Sequence, residues 1–144
     1  MKSKFSTHGL AETEAVGERL ASLLQGGDIV SLQGELGSGK TAFVRGLARG
    51  LGVKEIVSSP TFVLQHVFSL PPDSRIKELH HLDLYRLTDS RELLELGWND
   101  LVQRKEVVLV VEWAEKATDV IPERAIKVHI SWRGEKTRRI EITK

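Results

Sequence analysis

Cysteine is absent from the sequence, which excludes disulfides, thiolate catalysis and every zinc site built on cysteine. A reducing compartment fits that absence. There is little net charge: 21 Lys and Arg stand against 20 Asp and Glu, leaving +1, so the polybasic surface of a protein that holds nucleic acid by itself is missing. Long apolar runs are absent too. The longest aliphatic stretch is Val107 to Val111, whereas a membrane-spanning helix needs about 20 apolar residues. The opening stretch MKSKFSTHGLAETEAVGERL starts basic but carries no apolar segment of the secretion-signal kind. No internal repeat, linker or metal-type histidine spacing occurs, and the adjacent His80 and His81 would point to opposite faces of a strand. The expectation is one cytoplasmic domain over residues 1–144, with no membrane contact.

What is present is a core-forming composition, 40% hydrophobic with 12 Gly, arranged in alternating periods. Residues 11–24 read as a helix, with Val16, Leu20, Leu23 and Leu24 on one face and Gly26-Gly27 as the stop. Ile29 to Leu32 reads as a buried strand, and Thr41 to Leu51 as a second helix burying Val44, Leu47, Ala48 and Leu51. Thr61 to Leu70 and Ile76 to Leu84 read as strands joined by the turn Pro71-Pro72-Asp73-Ser74. Asp89 to Leu96 reads as a short helix capped by Asp89 with Glu92 and ended by Gly97. Val107 to Val111 is the strongest buried strand, and Ile126–Trp132 with Arg138–Ile142 form a hairpin around Gly134-Glu135. This alternation predicts an α/β three-layer sandwich, like a P-loop nucleoside triphosphatase (NTPase), with a mostly parallel central sheet.

Gly34-Glu35-Leu36-Gly37-Ser38-Gly39-Lys40-Thr41 matches G-x-x-x-x-G-K-[ST] in full. Background frequencies give on the order of 0.005 chance matches in a chain of this length. The motif follows a strand and opens a helix, as a phosphate-binding loop must. Its glycines let successive backbone N–H groups face phosphate oxygens, and the helix presents its positive end to the same anion. Lys40 would reach the outer phosphates, and the Thr41 hydroxyl would take a Mg²⁺ ion.

Such a loop needs an acid at a neighbouring strand end, and two candidates exist. Glu112 closes the run Val107–Val111, which is the Walker B arrangement with Glu in place of Asp. Asp83 lies in His81-Leu82-Asp83-Leu84-Tyr85-Arg86, where His81, Asp83 and Tyr85 would share one face of a strand. A solvated strand end is the plainer reading of either. In Ser58-Ser59-Pro60-Thr61-Phe62, Pro60 holds Ser59 extended, which makes Thr61 a candidate γ-phosphate sensor or the entry to an ordinary strand. Arg133, Lys136, Arg138 and Arg139 form a basic patch at the hairpin, either a charged edge strand or a phosphate contact.

Together, the phosphate loop, Ser59-Pro60-Thr61-Phe62, His81-Leu82-Asp83-Leu84-Tyr85-Arg86, Glu95-Leu96-Gly97 and Val110-Val111-Glu112-Trp113 make the chain resemble the bacterial TsaE (YjeE) family. That family is the ATPase component of tRNA threonylcarbamoyladenosine synthesis. The resemblance covers nearly the whole chain. It implies ATP held by Gly34, Glu35, Leu36, Gly37, Ser38, Gly39, Lys40, Thr41, Ala42 and Trp113. It also implies a basic residue that is either Arg138 or Arg139, with Arg138 preferred. It implies Mg²⁺ at Thr41 and Glu112, and catalytic roles for Asp83, Lys40 and Thr61. It implies the partners TsaD and TsaB, tRNA only through their complex, and slow hydrolysis outside that complex.

Three rivals remain at this level. A GTPase lacks its N-K-x-D pattern here, since the only Asn is Asn99 in Asn99-Asp100-Leu101. A small-molecule phosphotransferase lacks an insertion long enough for an arginine-bearing lid. A nucleotide-dependent docking module with little hydrolysis uses the same binding residues and stays open.

Overall fold

The computed structural model describes residues 2–35, 37–55, 57 and 65–144. Along the chain run β1 (Lys2–His8), α1 (Leu10–Ala21), β2 (Ile29–Gly34), α2 (Lys40–Leu51), β3 (Gln65–Ser69), β4 (Glu78–Asp83), α3 (Arg91–Glu95), α4 (Trp98–Leu101) and β5 (Val107–Glu112). A 3-10 helix (Ala114–Ala117), β6 (Ile126–Trp132) and β7 (Thr137–Thr143) follow. The strands form one sheet in the order β1-β7-β6-β2-β5-β4-β3.

Strands buried on both faces belong in the middle of a sheet, and the two most apolar runs sit there. β2 pairs with β5 and with β6, and β5 pairs with β4, all in parallel. The outer strands β1, β7 and β3 pair antiparallel. The parallel core is as expected, while the sheet as a whole is mixed.

Alternation divides the core in two. Val30, Leu32, Val108, Val110, Ile130 and Ile140 pack against Val16, Leu20, Phe43, Val44 and Leu47 of α1 and α2. On the other face Ile29, Leu82, Leu109 and Val111 meet Leu93, Trp98, Leu101, Ala114 and Ala117. The helices α1 and α2 approach unusually closely. A Cβ at Gly46 would lie 1.8 Å from the Glu14 carbonyl oxygen, and one at Gly17 would lie 2.2 Å from that of Phe43. Glycine inside a helix costs about 1 kcal/mol against alanine, and here the close crossing requires it.

Several expectations are corrected. The first helix ends at Ala21 rather than residue 24, and Leu23, expected on its buried face, is exposed. The Asp89–Glu92 capping box does not form. Ser90 occupies the cap without a side-chain capping bond, its hydroxyl donating to Asp119 at 2.8 Å instead; Asp89 accepts from the Arg91 amide at 2.9 Å, and Glu92 accepts from the Thr88 hydroxyl at 2.7 Å. Strand β4 stops at Asp83, so Tyr85 leaves the strand and stands exposed. β1 and α4 had no expectation. β1 covers β7, so the basic hairpin strand is interior to the sheet and not a charged edge.

Candidate functional site

In open parallel sheets, ligand sites form beyond the carboxyl ends of the strands. The phosphate-loop sequence lies there, between the end of β2 and the start of α2. Gly37 and Gly39 have φ of 78° and 108°, conformations that side-chain-bearing residues rarely adopt. Gly39 occupies the cap position of α2 with no side-chain cap, so the positive end of that helix faces the loop.

Lys40 opens α2 and is buried. Its ammonium donates to the carbonyls of Gly34 and Glu35, the latter at 2.9 Å, and sits 4.2 Å from the centre of the Trp113 ring. Burial lowers its pKa, against the opposing pull of Glu112, Glu115, Asp83 and Glu35. Trp113 has φ 58°, the one positive value at a non-glycine among the described residues. Its ring also leans on Tyr85, with centroids 5.0 Å apart. Strain of this kind costs of order 1–3 kcal/mol and collects at functional sites.

The two acids come together. Parallel pairing of β4 with β5 puts Asp83 opposite Glu112, and β2 brings Leu32 to the other side of Glu112. The Glu112 carboxylate is buried and bonded to Nε2 of the fully buried His81 at 2.5 Å. Asp83 is half-exposed and accepts from the Tyr85 amide at 2.9 Å. Its pKa is raised, first by desolvation and further by the nearby Glu112 charge, while the Tyr85 amide, His81 and Lys40 pull it down. Two carboxylates with unlike surroundings beside a buried ammonium make an arrangement suited to acid–base work on a bound anion.

The donors here are hard oxygens: the Thr41 hydroxyl and the carboxylates of Glu112 and Asp83. Among the described residues, no cluster of three or more His, Asp and Glu could hold a metal unaided. Mg²⁺ takes one or two carboxylates and completes its shell with water and substrate phosphates, and these donors are of that kind. The Ser38 hydroxyl, buried in the loop, has no hydrogen-bond partner among the described residues, so the loop has a polar group to spare for an oxygen-rich ligand. The residues fit the group.

Against known proteins, the profile of the family described as "Threonylcarbamoyl adenosine biosynthesis protein TsaE" matches residues 7–140. The chain belongs to the TsaE family. It is 34% identical over 140 residues to the tRNA threonylcarbamoyladenosine biosynthesis protein TsaE of Bacillus subtilis, covering 97% of this chain and 84% of that one. It is 43% identical over 118 residues to the Streptomyces coelicolor TsaE, covering 80% and 76%. A crystal structure of Bacillus subtilis YdiB superposes with a TM-score of 0.77 at 29% identity, covering 99% of this chain and 84% of the other.

Within this TsaE-family chain the site residues read from sequence gather at one place, with two outside the described residues. Leu36 of the loop and Thr61 of the S-P-T-F block are those two. Gly34, Glu35, Gly37, Ser38, Gly39, Lys40, Thr41 and Ala42 run from β2 into α2. Asp83, Glu112 and Trp113 lie at or just past the ends of β4 and β5. Of the two C-terminal arginines, Arg138 reaches the loop, its Nε donating to the Ser38 carbonyl at 2.9 Å. Arg139 pairs instead with Glu141 at 3.2 Å.

Sequence reasoning missed two contributors. His81 had a usable signal, since it shares the alternating face of Asp83, but its bond to Glu112 depends on strand order. Trp132, whose Nε1 donates to the Gly37 carbonyl at 3.1 Å, carried no signal as a single exposed aromatic. His80, by contrast, bonds Gln65 at 2.8 Å and Glu78 at 2.9 Å on the opposite face, a structural role.

Proposed function

We propose that this chain is a single-domain, cytoplasmic Mg²⁺-dependent ATPase of tRNA threonylcarbamoyladenosine synthesis, acting with the TsaD–TsaB transferase and reaching tRNA only through that complex. The observation that carries the reading is the convergence of Lys40, Glu112 and Asp83 at the mouth of a complete phosphate-loop sequence. Family membership supports the pathway.

Lys40 binds the outer phosphates by leaving the Gly34 and Glu35 carbonyls and the Trp113 face, a short movement of a flexible stem. Amides of the loop and of the first turn of α2 hold the remaining phosphate charge. Thr41 and Glu112 hold the metal, which when bound neutralises charge on the phosphate oxygens. His81 fixes the Glu112 carboxylate, as outer groups commonly do for metal-side ligands. Asp83 orients a water for attack on the γ-phosphate or takes its proton; the raised pKa suits a group that exchanges protons. Thr61 is the γ-phosphate sensor in this scheme.

Phosphate release measured with and without TsaD and TsaB tests the scheme. Release stimulated by the partners supports it. Release that requires a small-molecule acceptor instead, or that stays absent in the full assembly, contradicts it. Glu112→Gln keeps shape and removes charge, so ATP binding by that variant loses its magnesium dependence if Glu112 holds the metal.

A further inference from the structure

We propose that the hairpin ends of β6 and β7 form a strap that sets the phosphate loop in its binding shape, with Trp132 and Arg138 as positioning residues. This rests on the loop's proposed role in holding a triphosphate.

Trp132 and Arg138 face each other in the antiparallel register. Arg138 Cζ lies 5.6 Å from the centre of the Trp132 ring. From this pair two donors reach successive peptides of the loop: Trp132 Nε1 bonds the Gly37 carbonyl at 3.1 Å and Arg138 Nε bonds the Ser38 carbonyl at 2.9 Å. The same guanidinium donates through its NH1 nitrogen to the Thr137 carbonyl at 3.2 Å and to those of Gly134 and Glu135 at 3.4 Å, which ties it to the hairpin turn.

A trans peptide is planar, with its C=O and N–H pointing in opposite directions. Holding the Gly37 carbonyl outward therefore aims the Ser38 N–H inward, and holding the Ser38 carbonyl aims the Gly39 N–H inward. The Ser38 amide does point into the loop, donating to the Glu35 carbonyl at 3.0 Å. Glycines at 37 and 39 make this segment conformationally free, so its amide directions need an outside constraint. Trp132 is 53% exposed, yet its one polar atom is spent on the loop backbone. Its ring also lies 3.4 Å from where a Cβ at Gly37 would stand.

The test uses Trp132→Phe, which keeps the ring and deletes the donor, and Arg138→Lys, which keeps the charge and deletes the fork. Hydrogen exchange on the ligand-free protein reads the loop directly. The Ser38 and Gly39 amides exchange about threefold to tenfold faster in either variant, the scale of one hydrogen bond, while β5 amides are unchanged. Unchanged exchange at Ser38 and Gly39 overturns the strap, and a nucleotide contact alone would not move it. Calorimetry with ATP and with inorganic triphosphate, both with Mg²⁺, adds a second reading. The strap predicts an equal loss for the two ligands, about threefold to tenfold. A Trp132→Phe loss confined to ATP makes Trp132 a base platform and overturns the proposal. Full retention of affinity in Arg138→Lys makes Arg138 a point charge on the ligand and also overturns it. Wild-type protein that binds neither ligand defeats the ATPase reading, while the exchange result still decides the strap.

Discussion

The parallel and antiparallel halves of the sheet treat the same loop in opposite ways. From the parallel half, Lys40, Glu112 and Asp83 bring charge to the ends of β2, β5 and β4, with Lys40 and Glu112 buried and Asp83 half-exposed. From the antiparallel β6–β7 hairpin, Trp132 and Arg138 bring N–H donors to loop carbonyls. Buried charge costs free energy and is retained where it acts on a ligand. Side-chain bonds to backbone carbonyls cost little and act through the direction of the peptide. On the proposed function, the parallel half is the chemical side and the antiparallel flank is its support.

That contrast breaks most visibly at Asp83. Asp83→Asn keeps the shape of the site and removes one negative charge near the triphosphate. ATP binding survives or tightens, and hydrolysis in the presence of TsaD and TsaB falls by roughly tenfold or more, toward the range of about 10²–10⁴ for a general acid–base group. Normal hydrolysis with failed assembly would make the Asp83–Arg86 segment a docking surface instead.

The two halves share one layer, α1 on α2, whose core includes residues of β2, β5, β6 and β7. Gly46→Ala forces the helices apart at the Glu14 carbonyl and loosens both halves together. The expected loss is about 2–3 kcal/mol, a fall in Tm of roughly 6–12 °C by calorimetry.

A third effect is pH-dependent. Folding raises the Asp83 pKa, so the native state binds more protons than the unfolded chain between about pH 4 and that raised value. Stability contributed by Asp83 therefore falls as pH rises through this window. In urea titrations without ligand, Asp83→Asn is at least as stable as wild type at neutral pH, and any advantage disappears below about pH 4.

The smallest effect sharpens the comparison within the flank itself. Arg139 is a partly exposed partner of Glu141, and surface pairs of this kind contribute about 0–1 kcal/mol. Arg139→Gln leaves ATP affinity unchanged, whereas the neighbouring Arg138 variants weaken it.

Legibility followed the same division. β2 and β5 announced themselves because strands buried on both faces are mostly apolar, and the loop announced itself because its motif fixes four of eight consecutive positions. Asp83 and Glu112 were readable as strand-end acids, but not as neighbours, since that follows from pairing of β4 with β5. His81 was hidden for the same reason. β1 was not readable because its inward face, opposite Lys2, Lys4, Ser6 and His8, is Ser3, Phe5 and Thr7 with one large apolar side chain, so its strand state comes from pairing with β7. Arg138 and Trp132 were hidden more deeply, because they recognise backbone and backbone carries no sequence signature. Leu23 misled because helical spacing was extended past the turn that ends α1.

Calorimetric titration of Mg-ATP into wild type and Lys40→Ala tests the central claim most directly. Lys40 is the cation that the loop carbonyls hold beside Glu112 and Asp83, and charge-assisted bonds to phosphate are the strong ones. The account predicts that wild type binds and that Lys40→Ala loses about a hundredfold in affinity, the scale of one or two charged hydrogen bonds. Equal affinity in the two proteins would contradict it.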